Sequence, residues 1–361
     1  MEIPKTMKAI VVYGPKDYRF EERPVPKIGP GEVLVKVLAT GICASDVKTF
    51  YGFRVWGSEE IAPYIETPVI PGHEFVGEVV ALGENADKIH NVEIGDMVVS
   101  EQIIPCGKCR HCKEGRYWLC EPHHIYGFKK NKAEGSWAQY MKFPANSIVY
   151  KVPKSIKPEL ASTIEPLACA IHAVERANIN LNDVVVIGGM GPIGLFMLQV
   201  AKMKSPKLLV ALDLNPYRLK VAKELGADIT MNPSNDDVIS EVMKLTDGYG
   251  CDVYIESSGA NPSIKQGLQM IRKGGNLVIF GVYPGPTSLD WSVVGDVKEL
   301  NVFGSHLGPY CYPKAINYLE NGKIKAEPIV THKLPLEEYF KGIEMVHEGK
   351  ESIKVVLMPN S

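Results

Sequence analysis

Four cysteines, Cys106, Cys109, Cys112 and Cys120, follow a C-x2-C-x2-C-x7-C pattern inside fifteen residues, half of the chain's eight cysteines. Disulfides suit short secreted scaffolds, and this is a long chain whose N-terminus (MEIPKTMKAI) has charges and a proline where a signal peptide needs an apolar run. Close-spaced thiolates instead wrap one Zn2+ tetrahedrally, and a closed four-sulfur shell leaves no coordination position for substrate. The quartet is therefore expected to hold structure. Chemistry must be sought elsewhere.

Three further positions offer zinc-type ligands beside turn signals: Cys43 in Gly-Ile-Cys-Ala-Ser-Asp, His73 and Glu74 in Pro-Gly-His-Glu-Phe, and Glu165 in Thr-Ile-Glu-Pro-Leu. A thiolate, an imidazole and one or two carboxylates make an open, polarising zinc site. On residue type alone, Cys43 is equally a core cysteine and Gly-His-Glu equally an ordinary turn.

A second chemistry is written in Gly189-Met190-Gly191-Pro192-Ile193-Gly194, a G-x-G-x-x-G between an apolar strand and a helical pattern. Gly189 permits the tight turn, Gly191 lets a pyrophosphate approach the backbone, and Gly194 lets helix and strand pack closely. Asp213 closes the next strand nineteen residues after Gly194. An acid there accepts from a ribose 2′-OH and repels a 2′-phosphate, so NAD is expected over NADP. Arg218 either flanks the adenosine ribose or is a solvated helix residue.

The elements that must position these residues divide at about Glu165. Before it, short apolar runs (Lys8–Tyr13, Val33–Ala39, Val76–Leu82, Asp96–Val99) separated by Gly-Pro and Gly-Asp signals predict a β-rich part. After it, strands at Asp183–Ile187, Leu208–Asp213, Asp252–Glu256, Asn276–Phe280 and Leu300–Gly304 alternate with helical patterns, which predicts a parallel sheet. Asn215-Pro216 supplies a helix cap and a first-turn proline. The tail adds a helix near Pro313–Asn321 and a strand at Lys354–Met358.

With 361 residues, two domains are the default expectation. Apolar content of 45%, charged content of 23% and a net charge of −2 without like-charge blocks describe a soluble enzyme. They argue against partners such as nucleic acid or a membrane surface. The uncharged run Val184–Ala201 contains the glycine motif and reads as strand, turn and helix, not as a membrane span. A cytoplasmic location is expected, where thiols stay reduced.

Gly-His-Glu before a strand, a four-cysteine loop thirty-odd residues later and a central G-x-G-x-x-G together resemble the zinc-dependent medium-chain alcohol dehydrogenase family, in order over essentially the whole chain. The resemblance implies an α/β protein: a GroES-like catalytic domain over 1–165, with a structural-zinc lobe at 101–125, a Rossmann NAD-binding domain over 166–308, and a return to the catalytic domain over 309–361. It implies two zinc ions per chain. Cys43, His73 and Glu165 take catalytic-zinc positions, Glu74 is a ligand that exchanges with water, and the cysteine quartet takes the structural position. Ser45 matches the hydroxyl that accepts the alcohol proton, and Asp46 the carboxylate that orients the zinc-bound imidazole. Lys48 stands where many members carry a relay histidine, so it is a relay, a substrate contact or a solvated residue. Val282 and Ser305 join the cofactor positions.

Glu165 in Glu-Pro-Leu looks like the polyol dehydrogenase branch, where many alcohol dehydrogenases have cysteine. Within that branch the segments GICASDVK (41–48), SEQIIP (100–105), Tyr126-Gly127-Phe128 and SHLGPYCY (305–312) are similar to enzymes acting on erythritol and L-threitol. The resemblance thus implies reversible oxidation of a secondary alcohol of a small polyol to a ketose. Tyr51 and His306 are substrate candidates. L-threonine 3-dehydrogenase and sorbitol- or xylitol-type enzymes share the same apparatus, although the arginine of the animal sorbitol branch is missing from Ser305–Gly308. A zinc-ribbon binding module would need a basic surface, which the charge balance denies. The family implies a homo-oligomer, a dimer or tetramer.

Overall fold

Val33–Ile42 is apolar at nearly every position, as a strand covered on both faces must be. In the computed structural model, which describes residues 2–58 and 62–361, it is the hub of a seven-stranded sheet. The order is Val330–Pro335, Lys354–Met358, Val33–Ile42, Phe75–Leu82, Met97–Ser100 and Val149–Lys151, with Tyr140–Phe143 also paired to Val33–Ile42. Two strands from the far end of the chain, 330–335 and 354–358, thus complete a sheet begun near the start. Val33, Val35, Val37, Phe75, Val79, Val98, Tyr126 and Phe143 fill one core against it. A separate hairpin, Thr6–Gly14 with Asp17–Pro24, lies in the same unit. That unit comprises residues Met1–Glu165 and Tyr312–Ser361.

The second unit spans Pro166–Cys311. Its six strands are all parallel, in the order Ile229–Met231, Leu208–Leu212, Val184–Gly188, Cys251–Glu256, Ile271–Ile279 and Asn301–Gly304. In chain order this is third, second, first, fourth, fifth, sixth, the doubly wound dinucleotide-binding topology. Helices Pro192–Lys202, Pro216–Glu224, Val238–Leu245 and Asn261–Met270 alternate with the strands. Asn215 caps the second of them, its Oδ1 accepting from Tyr217 N at 2.8 Å and Arg218 N at 3.4 Å. The fold class is the one the sequence implies.

The order in which the chain adds strands reverses between Val184–Gly188 and Cys251–Glu256, although both run parallel. Ligands of open α/β sheets bind at the carboxyl ends of strands at such a switch point. The glycine motif lies there. The uncharged run at 184–201 is strand, turn and helix as expected, and among the described residues no helix is long and apolar enough to cross a membrane.

Candidate metal centres and cofactor loop

Among the described residues, two groups of metal-type ligand atoms converge to within 4.8 Å of one another. One is the cysteine quartet. Cys106 N donates to Cys120 Sγ at 3.2 Å and Cys109 N to Cys106 Sγ at 3.3 Å. Backbone N–H donors at Lys108 and Cys109 bring the Cys106 thiol down to about 6, and those at Cys112 and Glu121 lower Cys109. Burial pushes Cys112 up to about 12 and also raises Cys120. Two sulfurs are shifted toward the thiolate form while burial opposes ionisation of the other two. That donor set suits a soft divalent ion such as zinc.

The other group is Cys43, His73 and Glu74. Cys43 directly follows the long strand and caps the short helix Ala44–Phe50, its backbone N donating to Asp46 Oδ2 at 2.9 Å. The same short helix sets Ser45 Oγ 3.4 Å from His73 Nε2, and Asp46 Oδ1 3.7 Å from His73 Nδ1. His73 Nδ1 is buried without a hydrogen-bond partner. Burial opposes the His73 imidazolium, but the Asp46 and Cys43 charges outweigh it and raise the pKa well above the ordinary value. Burial likewise raises Asp46, against the pull of His73. Such crowding of anionic groups around a buried imidazole is what a bound cation would relieve.

Glu165 is not in that mutually close trio, although its charge acts on His73. It lies buried in the first turn of the helix Ile164–Arg176 and accepts a hydrogen bond from Gln102 Nε2. Glu74 is held by a partner that residue typing did not single out. Lys354 Nζ donates to both Glu74 carboxylate oxygens and, at 3.2 Å, to Ile42 O, with both side chains 2% exposed. Burial opposes the Lys354 charge, but Glu74 and Cys43 more than compensate and raise its pKa. The available signal was a lone lysine opening an apolar strand, Lys-Val-Val-Leu-Met. Gly41 is required here, because a Cβ would collide with the Glu74 carboxylate.

Lys48 lies in the last turn of the Ala44–Phe50 helix, half-buried. Tyr51 caps that helix and packs its ring against Phe50 and His347, with centroids at 5.2 and 4.5 Å.

In the second unit the glycine loop has the geometry a dinucleotide needs. Gly189 has φ +99°, and a Cβ on Gly194 would strike the Gly189 carbonyl. A Cβ on Gly191 meets nothing within 4 Å, so the backbone is open to a pyrophosphate at the N-terminus of the Pro192–Lys202 helix. Pro192 and Ile193 form its first turn. Asp213 Oδ2 accepts from Met190 N at 2.6 Å and Oδ1 from Asn215 N at 2.8 Å, which fastens this acid to the loop. Arg218 Nε and Ser305 Oγ are buried polar atoms without a hydrogen-bond partner. Val282 and His306 are exposed.

A family model described as the alcohol dehydrogenase GroES-like domain matches residues 29–154, and one for zinc-binding dehydrogenase matches residues 192–321. The chain is 48% identical over 359 residues to erythritol/L-threitol dehydrogenase of Mycolicibacterium smegmatis, covering 99% of both. It is 38% identical to L-threonine 3-dehydrogenase of Pyrococcus abyssi, covering 98% of this chain and 97% of that protein. The crystal structure of 2R,3R-butanediol dehydrogenase from Bacillus subtilis superposes with a TM-score of 0.86 at 30% identity, covering 98% of this chain and 100% of that one.

Proposed function

This chain belongs to the zinc-binding medium-chain alcohol dehydrogenase family and is an oxidoreductase, and we propose that it oxidises a secondary alcohol of a small polyol, erythritol or L-threitol, to the ketose with NAD, reversibly. The observation that carries the substrate assignment is the 48% identity to a relative of that name over nearly all of both chains. L-threonine oxidation is the second reading, favoured by the 38% identical relative. Initial rates with NAD on erythritol, both threitols, xylitol, sorbitol and L-threonine separate them. A kcat/KM highest on L-threonine or sorbitol would overturn the four-carbon assignment.

In this reading Cys43, His73 and Glu165 would hold the catalytic zinc, with Glu74, paired with Lys354 here, as the exchanging ligand. The quartet Cys106, Cys109, Cys112 and Cys120 holds the structural one. When bound, catalytic zinc acidifies the substrate hydroxyl, as it can lower the pKa of water from about 15.7 to about 7, and NAD accepts the hydride. Ser45 Oγ, beside the His73 imidazole, receives the hydroxyl proton. Asp46, whose Oδ1 lies 3.7 Å from His73 Nδ1, would orient that ring through its charge. Lys48, one turn along the same helix, would pass the proton onward, bind a second substrate hydroxyl or simply face solvent. Tyr51 and His306 remain substrate candidates.

Gly189, Gly191 and Gly194 seat the pyrophosphate, and Asp213 accepts from the adenosine ribose. A charge pair about 4 Å apart is worth about 1–4 kcal/mol between aqueous and surface dielectric, and each ~1.4 kcal/mol is tenfold. Asp213→Ser is therefore expected to raise the NADP-to-NAD ratio of kcat/KM by roughly tenfold or more. An unchanged ratio would show that Asp213 does not discriminate.

A homo-oligomer is part of the proposal, as is a cytoplasmic location. Asn301–Gly304 is an edge strand in the described sheet, with Val302 exposed on it and Trp291 and Val297 exposed in the segment before it. An apolar strand edge is a template for a second copy. Sedimentation should give a dimer or tetramer, and Val302→Lys should weaken it; a monomeric mass for the unaltered chain would count against this.

One buried acid makes stability depend on pH. Glu101 accepts from Tyr117 OH at 2.8 and 2.9 Å and from Tyr150 OH at 2.9 Å, yet burial pushes its pKa up to about 7 from 4.5. The folded state thus binds this proton more tightly than the unfolded chain does. The stability it contributes is full below about pH 4.5 and is lost as pH rises through about 7. Glu101→Gln keeps the neutral form at every pH. It should gain up to about 3 kcal/mol over the unaltered protein near pH 8 and nothing near pH 4.5, read by urea melts at both.

A further inference from the structure

Gln102 is 2% exposed and follows the strand Met97–Ser100 at the entrance to the cysteine lobe. Its amide is bonded at both ends. Oε1 accepts from Tyr312 OH at 2.9 Å, and Gln102 N donates back to the same hydroxyl at 3.2 Å. Nε2 donates to Glu165 Oε1. Tyr312 is fully buried and opens the helix Tyr312–Glu320, where the chain re-enters the first unit. Its ring stacks on Tyr150 with centroids at 5.8 Å.

Chemistry dictates which way this amide points. The Tyr312 hydroxyl spends its single proton on Gln102 Oε1 while receiving one from Gln102 N. A flipped amide would set its oxygen against the Glu165 carboxylate, acceptor facing acceptor. Gln102 is therefore held with its NH2 group toward Glu165 by a residue from the returning segment, 210 positions away. A buried amide needs only some partner, and this one is aimed at the single acid in the first turn of the Ile164–Arg176 helix.

Resting on the reading of Glu165 as part of a zinc-dependent alcohol-oxidising centre, we propose that Gln102 is a positioning residue. Locked by Tyr312, its amide fixes the orientation in which the Glu165 carboxylate is presented to the metal. Partners of this kind typically matter by about 10–100-fold in metal affinity or activity.

The test is a double-mutant cycle on zinc retention, read by chelator competition without substrate. Cys43→Ser gives the baseline of zinc held by the cysteine quartet. Gln102→Leu should hold the remaining zinc about 10-fold more weakly than the unaltered protein. In a Glu165→Ala background the same change should do nothing further, because no carboxylate is left to orient. Retention within about twofold of the unaltered protein, or an equal loss in both backgrounds, would overturn the proposal. Gln102→Glu preserves shape and the Tyr312 bond but offers Glu165 an oxygen, so it should lose at least as much zinc; thermal melts confirm that each variant folds. On whichever alcohol the unaltered enzyme turns over, Gln102→Leu should lower kcat with the KM for NAD unchanged. If no alcohol is oxidised, the functional reading fails, while the retention cycle still decides the role of Gln102.

Discussion

Cys43→Ser is expected to lower kcat by at least about 10^3-fold, remove one zinc equivalent per chain and leave the dissociation constant for NAD within about twofold. The cause is the softness of the ligand. A thiolate is an anionic donor that zinc prefers, whereas serine is neutral at working pH and binds weakly. Cys43 is the one thiolate among the proposed ligands, so its loss leaves the His73 imidazole and carboxylates, of which Glu74 is already claimed by Lys354. Without the metal, the substrate hydroxyl keeps a pKa near that of bulk alcohol, and several kcal/mol of stabilisation vanish, each ~1.36 kcal/mol being tenfold in rate. In the proposed reading NAD binds through the loop at Gly189–Gly194, which belongs to the other unit. Enzyme assays, metal analysis and a fluorescence titration of the same sample measure all three. Turnover near the unaltered rate in protein lacking that zinc would sink the mechanism.

What was legible in the sequence depended on how local each signal is. Asn215-Pro216 marks a helix start because capping is settled within three residues, and Oδ1 does cap that helix. Gly189, Gly191 and Gly194 announce a phosphate loop because one turn contains the whole geometry. The quartet is likewise contained in fifteen residues. Cys43 and His73 are thirty apart, and each alone was as readily a core or turn residue; only a family pattern made assembling them worthwhile. Glu74 was expected as an exchanging ligand, and the fold shows a physical competitor for it in Lys354, which is 280 positions away. Gln102 and Tyr312, separated by 210 positions, meet because the C-terminal segment completes the first sheet. No periodicity or spacing rule reaches across such intervals. Contacts of this kind are set by tertiary packing, which is why the clamp on Glu165 became visible only in the fold.

Loss of zinc from the cysteine quartet should act through stability, with a Tm lower by on the order of 10 °C, because the outer stretch of the lobe between Cys109 and Cys120 buries little of itself. The short helix Arg110–Lys113 and the 3-10 turn Tyr117–Leu119 each bury none of their residues. A segment without its own apolar core must be pinned by a cross-link, and four thiolates on one zinc are such a pin. Without the ion, burial keeps Cys112 and Cys120 protonated, so no ionic attraction replaces it. The lobe also delivers Tyr117 to the buried Glu101, next to Gln102, so its disorder removes the hydrogen bond that this hydroxyl shares between the two carboxylate oxygens. If about 3 kcal/mol is lost, at 2–4 °C per kcal/mol for a unit of this size, a drop near 10 °C follows. Cys112→Ser is the direct test, with activity read at 20 °C and again after mild heating. The variant should begin with substantial kcat and then inactivate faster than the unaltered protein, the reverse of Cys43→Ser, which should be inactive at once yet melt almost normally. An unchanged melting curve with one zinc missing from the quartet would mean that other contacts brace the lobe, and the structural role would have to be given up.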